Sequence, residues 1–154
     1  MAKLYFNYSS MNAGKSTALL QANHNYLERG MKTKMFTYSG DNRFEENKIV
    51  SRIGISAEAH SFTNTTDLFK NLKEDNEREE IRCVLIDEAQ FLTKEQVKEL
   101  GKVVDELDIA VLAFGIRTDF RGELFEGSKY LLAWADNLKE IKQQIGIGNN
   151  QISQ

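Results

Sequence analysis

The sequence predicts an α/β fold, a mainly parallel sheet flanked by helices, with its site outside the carboxyl edge of the strands. Three observations predict it. Short strand-like runs alternate with helix-like segments, the first run leads into a glycine-and-lysine loop, and a later apolar run ends in two adjacent acids. With 154 residues, 41% of them hydrophobic, the chain fits one domain with a real core. A domain of this size buries roughly two-thirds of its unfolded surface.

In the first strand, Leu4, Phe6 and Tyr8 alternate with Tyr5 and Asn7, and both sets are mostly apolar or aromatic. That pattern suits a strand covered on both faces. Residues 9–16, SSMNAGKS, then follow the spacing G-x-x-x-x-G-K-[ST] of a phosphate-binding P-loop, with Ser9 in the first glycine position. The cradle survives this change, because backbone N–H groups and a helix N-terminus make it. Gly14 lets the backbone approach phosphates, Lys15 reaches the β- and γ-phosphates, and the Ser16 hydroxyl can join a Mg²⁺ shell. A plain strand-to-helix turn with a surface lysine would show the same glycine and lysine, so a second motif is needed.

Residues 14–30 keep a helical period through Ala18, Leu19, Ala22 and Tyr26 or Leu27, and Gly30 supplies a stop. Residues 32–38, KTKMFTY, alternate as a short strand. Residues 41–58 show no period and read as a long charged loop with at most a short helical piece. Loops this long are uncommon unless functional, so Asp41, Arg43 and Arg52 could meet a substrate, although a solvated loop has the same composition. Residues 59–62 make a short strand, and 66–79 a helix capped by Thr65 or Thr66 with Leu68, Phe69 and Leu72 on one face.

Residues 81–86, IRCVLI, are a buried strand that delivers Asp87 and Glu88 to the crevice, which is the second motif. Asp87 can hold a Mg²⁺ shell opposite Ser16, while Glu88 points elsewhere and can take a proton from an attacking hydroxyl or water. An acidic helix cap is the plainer alternative. The next helix, 93–107, has its own cap in Thr93 with Gln96 completing a capping box, which leaves the acids unexplained. Residues 109–116, IAVLAFGI, form the most hydrophobic run and a central strand. Arginines and aromatics follow in 117–136, then a helix through Leu131, Leu132 and Trp134, and 138–145 a last strand. Phe120 and Phe125 could serve as plain core.

A net charge of −3 and a pI near 5.5 give no general attraction to nucleic acid or an anionic membrane. Cys83 is the single cysteine, so an internal disulfide is excluded and a reducing, cytoplasmic setting is expected. No apolar run approaches the roughly 20 residues of a membrane span.

Taken together, SSMNAGKSTALL, DNRF with SRIG, VLIDEAQFL and FGIRTDFRGELFEGSKYLLAWAD resemble the thymidine kinases of the cellular and bacterial type (type II), most like the enterobacterial form. The resemblance spans residues 1 to about 142, and Ser9 is a departure that bacterial members tolerate. It implies a RecA-like P-loop NTPase fold, with ATP phosphates on Ser9, Ser10, Met11, Asn12, Ala13, Gly14, Lys15 and Ser16 and Mg²⁺ near Ser16 and Asp87. It also implies Glu88 as the base for the 5′-hydroxyl of thymidine, with Asp87, Glu88, Ala89 and Gln90 lining the nucleotide site. Asp41 and Arg43 match a D-x-R element near the transferring phosphoryl group. Met11, Phe91, Ile116, Phe120 and Phe125 match positions that enclose the thymine ring. The family assembles as a homotetramer.

One departure is larger. Family members continue into a four-cysteine zinc module whose loop closes over thymidine. Residues 143–154, QQIGIGNNQISQ, resemble nothing in the family and hold no cysteine. The expectation is a kinase domain over 1–142, a disordered tail over 143–154 and no structural zinc, with a frameshift or early stop as the simplest account. A thymidine kinase of weakened affinity, an ATP-binding remnant, and a subunit that assembles with full-length copies all fit. A generic P-loop NTPase is the further alternative.

Overall fold

The computed structural model describes residues 1–9, 14–40, 48–50 and 56–142. Among these residues, eight strands and four α-helices follow in the order β1 (Leu4–Ser9), α1 (Lys15–Glu28), β2 (Thr33–Tyr38), β3 (Lys48–Val50), β4 (Ser56–Glu58), β5 (His60–Phe62), α2 (Leu68–Arg78), β6 (Cys83–Asp87), α3 (Lys94–Leu107), β7 (Ala110–Ile116), α4 (Glu126–Trp134) and β8 (Asn137–Glu140). Six strands make one sheet in the order β5-β2-β6-β7-β1-β8, and every pairing in it is parallel. Parallel neighbours need crossovers, and the helices that supply them cover both faces.

The two-residue side-chain period decides which helix each strand residue meets. On β6, Val84 and Ile86 join the larger core cluster with Leu72, Val97, Leu100 and Leu131 from α2, α3 and α4. Cys83 and Leu85 join the smaller cluster with Leu19 of α1 and Phe114 of β7. All five residues of β6 are buried. On α1, Tyr26 packs against this smaller cluster while Leu27 is exposed, which settles the helix face.

Three elements differ from the sequence expectation. Residues 41–58 are not a loop throughout, because β3 and β4 pair antiparallel as Lys48↔Glu58, Ile49↔Ala57 and Val50↔Ser56. Three-residue strands are too short to show a period. Helix α2 is capped by neither threonine: the Asp67 carboxylate accepts from Lys70 N–H at 3.0 Å, whereas Thr66 Oγ1 accepts from Thr63 N–H. The last strand, read as 138–145, lies at Asn137–Glu140 beside β1, and 143–145 fall outside the described residues with the rest of the tail. The Thr93–Gln96 capping box stands as read, with both reciprocal bonds at 3.1 Å. Among the described residues no helix is long and apolar enough to cross a membrane.

Burial in β6 pushes the Cys83 thiol up to about 12. Thiolate is the reactive form, so alkylation of the native chain must wait for opening of the sheet. At pH 8, labelling of Cys83 is expected to run at least about 10³-fold slower than in denaturant and to follow the unfolding equilibrium. Labelling at the free-cysteine rate would contradict the central place of β6.

Candidate active site

Asp87 shares the parity of Cys83 and Leu85, so it leaves the end of β6 on the face covered by α1. Helix α1 begins beside it. Its N-cap, Gly14, takes the left-handed conformation at φ 78°, which favours glycine, and this N-cap residue has no side chain to cap the helix. The first residue of the helix, Lys15, is 3% exposed. Its ammonium donates to Asp87 Oδ1 at 2.7 Å and to Glu88 Oε2 at 3.1 Å. Sequence reasoning aims Glu88 away from its neighbour, but the lysine gathers both acids. A buried ammonium without partners would cost several kcal/mol, and this pairing satisfies it.

Glu88 also adopts the left-handed conformation, at φ 56°, without being glycine. Such strain costs about 1–3 kcal/mol and persists only when its surroundings over-determine it. They do so here. Glu88 N–H donates back to Asp87 Oδ1 at 2.9 Å, and the chain then turns through a short 3₁₀ segment, Ala89–Phe91. Gln90 donates through Nε2 to Glu88 Oε1 at 2.7 Å and accepts at Oε1 from Ile116 N–H at 3.2 Å. Glu88 caps no helix with its side chain.

Beyond the acids lies an aromatic wall. Phe91 stacks on Tyr38 with ring centroids 4.7 Å apart and meets Phe125 edge-on at 5.6 Å. Asn64 ties two of these together, accepting from the Tyr38 hydroxyl and donating to the Phe91 carbonyl. From the end of β7 the chain makes a small hairpin closed by the Thr118↔Leu124 bridge, whose turn is held by Asp119 accepting from the Arg121 and Glu123 amides. These bonds hold the Asp119 carboxyl below its usual range. The turn carries Phe120 outward, 95% exposed.

The thymidine kinase family model matches residues 2–148 of this chain. The thymidine kinases of Salmonella typhimurium and of Escherichia coli K12 are each 58% identical to it over 142 residues, covering 92% of this chain and 69% of theirs. The chain belongs to the thymidine kinase family.

Of the residues that the resemblance to thymidine kinases singles out, the structure brings Lys15, Asp87, Glu88 and Gln90 into direct contact. Ser16 stands on the first turn of α1, Ser9 ends β1, and Ala89 is buried in the turn after Glu88. Phe91 and Phe125 meet, and Ile116 joins the site through its backbone, but Phe120 stands away in solvent. Ser10, Met11, Asn12, Ala13, Asp41 and Arg43 lie outside the described residues. Tyr38 and Asn64 were missed. Tyr38 ends a parallel strand, and position at the carboxyl edge was the signal available for it. Asn64 shows no such signal.

Two glycines let the turn after Glu88 settle against its neighbours. A Cβ on Gly127 would lie 2.4 Å from the Ala89 carbonyl oxygen, and one on Gly115 would lie 2.8 Å from Gln90 Oε1. Gly101, within α3, has nothing within 4 Å of such an atom. Thermal unfolding should therefore separate them. Gly127→Ala is expected to destabilise by about 1–3 kcal/mol through overpacking, and Gly101→Ala to stabilise by up to about 1 kcal/mol through helix propensity.

Proposed function

We propose that this chain transfers the γ-phosphoryl group of ATP to the 5′-hydroxyl of thymidine, giving ADP and thymidine 5′-monophosphate. Family membership supports the reaction. The observation that carries the assignment of roles is the Lys15 ammonium held between Asp87 and Glu88 at the head of a helix whose N-cap, Gly14, has no side chain to cap it.

The donor set argues for a divalent cation beside the triphosphate. One ammonium and two carboxylates sum to a formal −1, and the helix N-terminus contributes only about +0.5, too little to seat a polyanion. Asp87 with the Ser16 hydroxyl offers the one or two protein oxygens that a phosphate-bound Mg²⁺ takes. Bound there, Mg²⁺ would neutralise charge on the phosphates. Among the described residues no group of three or more His, Cys, Asp and Glu gathers to hold a metal by protein ligands alone.

The residues then divide the work. Lys15 turns from the carboxylates to the phosphates, and the α1 amides receive phosphate oxygens. Glu88, released on one side, accepts the proton of the 5′-hydroxyl as the new O–P bond forms and the bond to the ADP oxygen breaks. Phe91 and Phe125 pack against thymine, with Ile116 beside them and Phe120 closing inward from its turn. Met11 completing that enclosure, Asp41 and Arg43 near the phosphoryl group, and phosphate contacts from residues 9–13 rest on the resemblance. The same reading makes residues 1–142 the kinase domain of a cytoplasmic homotetramer.

A coupled assay of ADP release by the purified chain, with and without thymidine, tests the function. Release that requires thymidine is expected, and release indifferent to it would favour a generic NTPase. Glu88→Gln should retain ATP binding and lose turnover by about 10²–10⁴-fold. Lys15→Ala should weaken nucleotide binding itself, measured by calorimetry, and unchanged affinity would remove Lys15 from the phosphate site.

A further inference from the structure

We propose that Gln90 is a positioning residue for Glu88, a step beyond the proposed reaction that rests on Glu88 being its base. The orientation of the amide is determined. Ile116 N–H can only donate, so the atom it meets at 3.2 Å must be Oε1, and the end facing Glu88 Oε1 at 2.7 Å must be the NH₂ donor. Gln90 is 2% exposed, so both ends of its amide need these partners.

The two oxygens of Glu88 have different partners, Gln90 on one and Lys15 on the other. Once Lys15 turns to phosphate, Gln90 is the side-chain donor that remains on Glu88 among the described residues. Its own place is fixed from behind. The bare Cα of Gly115 leaves room for the amide against β7, where a Cβ would lie 2.8 Å from Oε1 and 2.9 Å from the Gln90 backbone nitrogen. Ile116, which holds Gln90 through its N–H, accepts through its carbonyl from the Ser128 hydroxyl of α4 at 2.5 Å. A chain of hydrogen bonds thus runs from α4 through the end of β7 and Gln90 to the carboxylate. Glu88 is itself 30% exposed at a strand tip, and this bond aims a group that would otherwise sample several rotamers.

A merely structural glutamine would serve only to satisfy Ile116 N–H, and two variants separate the roles. Gln90→Glu keeps an acceptor for Ile116 and sets a second carboxyl against Glu88, which when ionised has nothing to donate and when protonated shares its proton with the base. Gln90→Met removes both bonds at similar volume. Both are expected to lower kcat by about 10–100-fold with little change in KM for ATP. In a Glu88→Gln background, Gln90→Met should cost no more than about twofold further. Wild-type kcat in Gln90→Glu, or an equal loss in both backgrounds, would overturn the proposal. A readout independent of turnover is the ¹⁵N signal of the Gln90 side-chain amide, identified by its loss in Gln90→Met. It should shift in Glu88→Ala, and an unmoved signal would refute the contact. A wild-type chain that failed to phosphorylate thymidine would remove the proposed reaction, while this signal would still decide whether Gln90 holds Glu88.

Discussion

The site depends on one desolvated ion contact, the ammonium of Lys15 shared by Asp87 and Glu88. Neither the lysine nor Asp87 retains much water, at 3% and 4% exposure, so neither charge is stable there alone. Each makes the other's burial tolerable. The contact also joins the start of α1 to the tip of β6, two segments 72 residues apart in sequence. Breaking it by removing one partner leaves an uncompensated charge, whereas a polyanion that takes over the lysine avoids that penalty when a divalent cation arrives with it for the carboxylates. Structural support and readiness for a polyanion are therefore the same interaction.

Everything around the contact serves to place it. Parallel pairing of β6 with β2 and β7 brings the strand ends to one edge, and side-chain parity puts Asp87 rather than Ile86 under α1. The left-handed turn at Glu88 redirects the chain at once, so that consecutive acids can both reach one ammonium. That strain is held by the Asp87 and Gln90 bonds and by tight packing at Gly115 and Gly127. On the far side, the Tyr38–Phe91–Phe125 wall supplies flat apolar surface a short step from the acids.

Much of this was legible in the sequence. The fold class, the strand bearing the acids and the capping box of α3 follow from period, apolar runs and spacing, because burial on both faces of a parallel sheet writes itself into residue choice. The β3–β4 pair was not legible, since three residues are too few for a period and Lys48 and Ser56 carry no strand preference. The Asp67 cap went unread because threonine and aspartate can both cap, and only the chain path decides. The joint grip of Lys15 on both acids was hidden for another reason. Strand parity predicts opposite directions for neighbours, and nothing in the residue type of Glu88 announces a left-handed backbone. Phe120 shows the limit of carrying roles by position: the resemblance assigns it to the thymine enclosure, while the structure sets it in solvent at the tip of its turn.

The most direct measurement is the structure of this chain with a non-hydrolysable ATP analogue bound. Lys15 Nζ is expected within hydrogen-bonding distance of a phosphate oxygen, with Glu88 Oε2 relieved of the lysine. A triphosphate bound elsewhere, with Lys15 still on both carboxylates, would contradict the assignment of this contact as the phosphate site.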